Sequence, residues 1–232
     1  IEKIERALPN INLLKNGKNL GYAAGNNAGI RRIIEKGSEY IFLLNNDIIV
    51  PSDTLTILVE TMERFDRCAA CQPLVTYFDN PLKVWSAGTQ FVLGYPLLYQ
   101  KDAPVSHMGT FSAPFGLVGC AILFRVSALE DIGLFDESLF LMHEETDWCI
   151  RARKKGYSLL VNSEVQVMHK ISATLGRFSE QYLYYISRNW LIVSKKHFSA
   201  LRYFYVITTE IFLRFPYYIN HLIRRGRASY IR

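Results

Sequence analysis

The sequence predicts an α/β fold: a Rossmann-like mixed sheet followed by a C-terminal helical extension. Residues 11 to 66 alternate short apolar runs with amphipathic segments, the pattern of strands and helices stacked in layers. Residues 68 to 126 then carry apolar runs with no helix between them, which makes the sheet mixed. From Ser179 to Ile223 the chain is helical and aromatic. The expected division is therefore 1–178 for the sheet domain and 179–232 for the extension.

The elements follow in order. "IEKIERALPN" reads as the end of a helix, and "INLLKN" (11–16) as a short strand closed by the turn residues Asn16 and Gly17. A Gly-rich loop, "NLGYAAGNN", leads into a helix from about Asn26 to Lys36, stopped by Gly37. "YIFLLN" is a continuous apolar run, the signature of a strand buried on both faces of a parallel sheet. "PSDTLTILVETMERF" opens on a cap and continues as an amphipathic helix. "CAACQPLVTYF", "KVWSAGTQFVL" and "GLVGCAILFRV" read as strands, the last two separated by a loop from Gly94 to Pro114. "HEETDWCIRARKKG" is a helix ended by Gly156, and "YSLLVNSEVQVMHK" supplies one or two more strands.

Composition supports a packed protein: half of the 232 residues are apolar and 21% are charged, with 14 Tyr and 14 Phe. Cys68 and Cys71 form a CxxC inside an apolar run, without the second pair or nearby His that a zinc site wants, so these thiols, like Cys120 and Cys149, read as buried. The net charge of +6 is not evenly spread. Residues 195–232 hold eight Lys or Arg and one acid, Glu210, for +7, while the other 194 residues sum to −1. No nucleic-acid motif organises this charge, which excludes nucleic acid as the partner class. Within "FSALRYFYVITTEIFLRFPYYINHLIRR" (198–225), Arg202, Glu210 and Arg214 break the apolar run far short of the roughly 20 residues a spanning helix needs. Aromatic residues beside arginines suit a membrane surface, and a helical pair packed on the domain is the alternative.

The chemistry concentrates at three places. In "YIFLLNNDIIV" (40–50), Asn45, Asn46 and Asp47 interrupt an apolar stretch at the carboxyl end of a strand, where α/β sheets bind ligands. A carboxylate with a second oxygen donor two residues away suits Mg2+ or Mn2+, and an Asx turn is the competing reading. In "HEETDWCIR", Glu144 and Asp147 share a helix face, with Glu145 about 100° from Glu144. Crowded carboxylates raise the pKa of at least one member, which suits a general base; an acidic first turn facing the helix dipole is the alternative. Glycines in "NLGYAAGNN" permit close approach to a phosphate, although the Gly-Lys-Ser/Thr ending of a phosphate loop is absent.

"NGKNLGYAAGNNAGI", "YIFLLNNDIIV", "GLVGCAILFRVSALEDIGLFDESLFLMHEETDWCIRARKKGY" and "VMHK", in that order, resemble the family 2 glycosyltransferases with the A-type nucleotide-sugar fold, over about residues 8 to 197. Rhamnosyltransferase-like members are the nearest in look. The resemblance implies that Asn45 and Asp47 stand at the metal motif, with Asn in place of its first Asp, and that His169 is a third metal ligand. It implies Glu145 as the catalytic base, where the family has Asp, with Asp147 beside it, and Asn19, Gly21 and Asn27 at the nucleotide. Phe135 and Asp136 would shape the acceptor side. The implied activity is inverting, metal-dependent (Mg2+ or Mn2+) transfer from a nucleotide-sugar donor, with dTDP-rhamnose the first choice, to a cell-envelope polysaccharide or lipid-linked acceptor. The implied location is cytoplasmic, peripheral at the inner face of the membrane. Family members begin with a further strand, helix and strand, about 40 residues, which this sequence does not contain. A catalytically silent fragment or relative that only binds an acceptor or partner is the rival expectation.

Overall fold

A computed structural model describes residues 2–170 and 179–224. Its strands are β1 (Tyr40–Leu44), β2 (Ile48–Ile49), β3 (Cys68–Tyr77), β4 (Val84–Ser86), β5 (Thr89–Val92), β6 (Tyr95–Leu98), β7 (Thr110–Ser112), β8 (Ala121–Arg125) and β9 (Ser158–His169). The helices are α1 (Glu2–Ala7), α2 (Gly21–Ile34), α3 (Thr54–Glu63), α4 (Val126–Ile132), α5 (Glu144–Lys154), α6 (Glu180–His197), α7 (Ala200–Thr209) and α8 (Phe215–Arg224). A π-helical turn, Glu210–Arg214, joins the last two, and a 3-10 turn, Glu137–Leu139, precedes α5.

The main sheet runs β1-β8-β3-β9-β2, with β4 added to β3 and β7 to β9. Only β3 and β9 are parallel; the other pairings are antiparallel, so the sheet is mixed as expected. β3 is its central strand, buried at nine of ten positions, which is why "CAACQPLVT" tolerates no charge. One face is covered by α2, α4 and α5, through Ala23, Ile30, Leu129 and Trp148 packed on Ile41 and Phe124. The other is covered by α3, whose Leu58 and Met62 meet Cys68, Cys71, Leu123 and Leu160. A third cluster joins α6 and α7 to the β5–β6 hairpin and α5 through Trp190, Val193, Val206, Tyr95 and Ile150. All four cysteines are free and buried.

Several local expectations are corrected. Residues 11–16 form no strand. α2 starts at Gly21 rather than Asn26, so most of the glycine-rich loop is helix. β1 pairs antiparallel with β8 and alternates in burial, with Leu44 exposed, rather than lying buried on both faces of a parallel sheet. The stretch from 83 to 93 is two strands, broken where Gly88 takes φ +90° against the Gly116 carbonyl. The supposed loop 94–114 contains β6 and β7, and "VSALEDI" is a helix, α4. Residues 157–170 make one long strand whose register against β3 shifts at Pro73, a residue with no N–H for the ladder.

Candidate active site

The turn after β1 is pinned between two strands. Asn45 N–H donates to the Cys120 carbonyl at 2.9 Å, prolonging the β1–β8 ladder, and the Asp47 carbonyl accepts from Lys170 N–H at 2.9 Å. Because Ile48 pairs with His169, the turn delivers Asp47 to the end of β9, with Oδ1 3.4 Å from His169 Nε2. The edge of the Trp85 ring holds the imidazole, centroids 4.5 Å apart. Burial lowers the His169 pKa and the Asp47 carboxylate opposes that, leaving a downward shift and a neutral ring.

Asp47 Oδ1 and His169 Nδ1 are buried without a hydrogen-bond partner. Such atoms are costly unless something fills their valence. Among the described residues no three His, Cys, Asp or Glu side chains are grouped to hold a metal. Asp47, His169 and the Asn45 amide oxygen therefore fit a divalent cation as a partial set, of the kind completed by diphosphate oxygens and water.

Above this turn stands the start of α2. Gly21, at φ +78°, lies so close to Phe140 that a Cβ would sit 2.4 Å from Cδ2 and 2.5 Å from the carbonyl oxygen. Asn19 Oδ1 accepts from Gly21 N–H at 2.9 Å, and the Phe140 carbonyl accepts from Tyr22 N–H and Ala23 N–H at 2.6 and 3.2 Å. Asn27 is 1% exposed. Its amide donates to the Phe135 carbonyl and Glu137 Oε1 and accepts from Phe135 N–H, at 2.9, 3.0 and 3.1 Å. The structure thus engages Gly21 and Asn27 with the loop before α5, while Asn19 braces the start of α2. Phe135 is buried in the core against Phe124, and Asp136 caps the 3-10 turn and pairs with Lys196 at 2.9 Å.

Tyr22 is the residue that sequence reasoning missed. Its hydroxyl contacts Asn45 Oδ1 at 3.1 Å and the Gly119 carbonyl. Burial, then the charges of Glu144, Glu145 and Asp47, push its pKa well above the usual range, so it remains a donor. Asp47 and Glu145 also both act on the Cys120 thiol, whose pKa rises chiefly through burial. Tyr22 thus links the β1 turn, through Asn45, to the loop entering α5, through its N–H on the Phe140 carbonyl. An aromatic hydroxyl flanked by glycine and alanines in "LGYAAG" was the only available signal.

The loop entering α5 is strained: Phe140, Met142 and His143 all have positive φ, at 57°, 70° and 69°. For residues with a side chain this costs on the order of 1–3 kcal/mol each. His143 is buried and hydrogen-bonded to Tyr95 Oη at 3.1 Å; burial, then Arg214, lower its pKa to about 3, so it is neutral. The next two residues, Glu144 and Glu145, form a carboxyl pair without a cation. Burial first and Glu145 second raise the Glu144 pKa well above normal. Burial also raises Glu145, against hydrogen bonds from its own backbone, Glu144 and Thr146. Both carboxyls are thus more basic than usual, with Glu144 buried and Glu145 half-buried.

Asp147 is a different group. Its carboxylate is 0% exposed and meets Arg151 Nε at 2.8 Å, Lys196 Nζ at 2.9 Å and His197 Nε2 at 2.7 Å. Burial would raise its pKa, but those partners overcome it and hold the carboxyl far below the usual range. A carboxylate so paired ties α5 to the end of α6 and is a poor proton acceptor.

The sequence profile described as "Glycosyl transferase family group 2" matches residues 40–224. The chain is 27% identical over 199 residues to a low-salt glycan biosynthesis hexosyltransferase of Haloferax volcanii, an alignment covering 82% of this chain and 62% of that protein. It is 25% identical to an N-acetylglucosaminyl-diphospho-decaprenol L-rhamnosyltransferase of Mycobacterium tuberculosis, covering 75% and 64%. It is 24% identical to a dTDP-rhamnosyl transferase of Shigella flexneri, covering 69% and 52%. The chain thus spans less than two thirds of the length of these relatives. The crystal structure of GalNAc-T7 with UDP, GalNAc and Mn2+ is similar in fold, with a TM-score of 0.60 and 15% identity over 84% of this chain and 38% of that one. With a profile match across most of its length, from β1 to the last described helix, the chain belongs to glycosyl transferase family group 2.

Proposed function

We propose that the chain is the catalytic part of an inverting glycosyltransferase that moves a sugar from a nucleoside-diphosphate donor to a hydroxyl of a glycan or lipid-linked acceptor. The observation that carries this reading is the bridge made by Tyr22, whose hydroxyl meets Asn45 beside Asp47 and whose N–H meets the Phe140 carbonyl in the loop leading to the Glu144–Glu145 pair. Glu145 accepts the proton of the acceptor hydroxyl as its oxygen attacks the anomeric carbon from the face opposite the leaving diphosphate. Burial raises the basicity of Glu145, and the hydrogen bond from Glu144 opposes that rise without cancelling it. Asp47, Asn45 and His169 would hold Mg2+ or Mn2+, which when bound offsets charge on the departing diphosphate. The Tyr22 hydroxyl orients the Asn45 amide. The named relatives favour a hexose or rhamnose, with dTDP-rhamnose as the first donor to try. Glu145→Gln keeps size and hydrogen bonding but cannot take a proton. It is expected to leave donor affinity within about twofold and to lower kcat about a hundredfold or more. Full turnover in this variant overturns the reading.

The acceptor side includes a membrane surface. α7, the π-helical turn and α8 expose Leu201, Phe204, Phe212, Leu213 and Phe215, each more than half accessible. The only acid from 195 to 232 is Glu210, nearly buried and paired with Arg214 at 2.9 Å, so the acidic complement of this face is an anionic headgroup layer. No described helix is long and apolar enough to cross a membrane. Peripheral attachment at the cytoplasmic leaflet follows. Phe204→Ser with Phe212→Ser is expected to abolish co-sedimentation with phosphatidylglycerol vesicles without changing the melting temperature, and unchanged sedimentation sinks the idea.

A further inference from the structure

Four successive backbone carbonyls, of residues 139–142, run from the last residue of the 3-10 turn to the entrance of α5, the first also accepting from Leu141 N–H at 2.6 Å. The alternation of left- and right-handed backbone there turns the carbonyls of Leu139, Leu141 and Met142 toward one point. The side chain at that point is Asn189 of α6, which is 0% exposed and lies beside Trp190. Its Nδ2 stands 2.5, 2.7 and 2.9 Å from the three oxygens. The fourth carbonyl, of Phe140, takes the first N–H groups of α2. The Asn189 amide is itself oriented, because its Oδ1 accepts from Arg188 Nη1 at 2.6 Å.

Two facts make this more than packing. A strained loop keeps its shape only if its surroundings over-determine it, and here one carboxamide brings its two N–H groups to three of the four carbonyl oxygens. The loop also ends on Glu144 and Glu145, and the N-cap His143 offers no side-chain cap of its own. Where the first turn of α5 begins is therefore set from α6. We propose that Asn189 is a positioning residue, which holds the loop 139–143 in its left-handed course and so aims Glu145 into the cleft. The inference rests on Glu145 being the base, and the amide is the only side-chain type that brings two N–H donors to this point at neutral charge without a longer stem.

The experiment uses the full-length protein with Asn189→Asp, which is isosteric but replaces donors by acceptors, and Asn189→Gln, which keeps the donors one methylene farther out. Hydrogen exchange of the peptide spanning 137–150 is read first, since it needs no substrate. Asn189→Asp is expected to speed exchange there at least tenfold while α3 and β3 keep wild-type protection; unchanged exchange overturns the clamp. Should Asn189→Asp fail to fold, Asn189→Gln carries the same reading with a smaller increase. Kinetics follow with whichever of dTDP-rhamnose, UDP-glucose, UDP-N-acetylglucosamine and GDP-mannose the wild type consumes. The expectation is a kcat loss of at least tenfold with donor KM within about threefold, partly restored in Asn189→Gln. Loosened exchange with wild-type kcat overturns the positioning role. Glu145→Gln, run in parallel, separates the two ideas: if it alone retains turnover, the base assignment has failed while the clamp stands on exchange.

Discussion

Asp147→Asn should cost stability and spare chemistry. The carboxylate is fully buried among Arg151, Lys196 and His197, at 2.7–2.9 Å. Removing one partner of a buried ion pair typically costs about 3–5 kcal/mol, because the remaining charges stay desolvated and unpaired. Lys196 is 40% exposed and can turn to solvent, which screens its share, so the lower end, about 3 kcal/mol, is expected. For a chain of this size that corresponds to a fall of roughly 6–12 °C in Tm. The pH dependence has a fixed sign. The folded pKa lies well below the unfolded value of about 3.9, so the contribution is complete above that value and is lost as pH falls through it toward the folded pKa. Thermal unfolding followed by circular dichroism should show a constant gap between wild type and variant from pH 6 to 8, closing below about pH 4. Turnover measured below both melting temperatures should remain within about threefold of wild type. A variant that melts like wild type but has lost turnover with normal donor affinity would refute this account and make Asp147 the base.

Gly21→Ala places a methyl 2.4 Å from the Phe140 ring at a backbone φ of +78°; urea unfolding should show a loss of at least about 2 kcal/mol. Asp47→Asn should remove most Mn2+-dependent donor binding in calorimetry, whereas Asn45→Asp, which adds a charge to the same oxygen position, should keep or strengthen it. Equal Mn2+ dependence in wild type and Asp47→Asn would dissociate this turn from the metal.

The parts of the fold legible in the sequence are those whose period is long enough to carry information. β3 and β9 are long apolar runs, and α3, α5 and α6 repeat their apolar positions over several turns. α4 has only seven residues, too few for a period to emerge between β8 and the next turn. β1 announces itself as a strand, but a five-residue apolar run says nothing about the direction of its neighbour. The start of α2 was misjudged because glycine is a loop signal, and what permits Gly21 to begin the helix is the Phe140 carbonyl, distant in sequence. At the site, Asp47 draws notice from its place at a strand end, whereas His169 is singled out only by the family resemblance. Tyr22 and Asn189 were not legible, since nothing local distinguishes a tyrosine or asparagine that reaches across the fold from one that faces solvent.

The three acids of α5 show why side-chain type and spacing alone could not assign the base. Glu144 and Asp147 lie on neighbouring faces of one helix, yet burial moves the first upward in pKa while the second ends far below normal. The difference is supplied by α6. Its last turn carries Lys196 and His197, which reach Asp147, and Arg151, one turn along α5, closes the same cluster. Its middle carries the neutral Asn189, which reaches the loop preceding Glu144. The same helix therefore neutralises one carboxylate and braces the approach to the other two without offering them a cation. A base needs a raised pKa, and a site for a cation and a diphosphate needs negative charge left uncompensated by the protein itself. Among the described residues no Lys or Arg pairs with Glu144, Glu145 or Asp47, whereas Asp147 is surrounded by such partners, and this distribution supports the proposed role of Glu145.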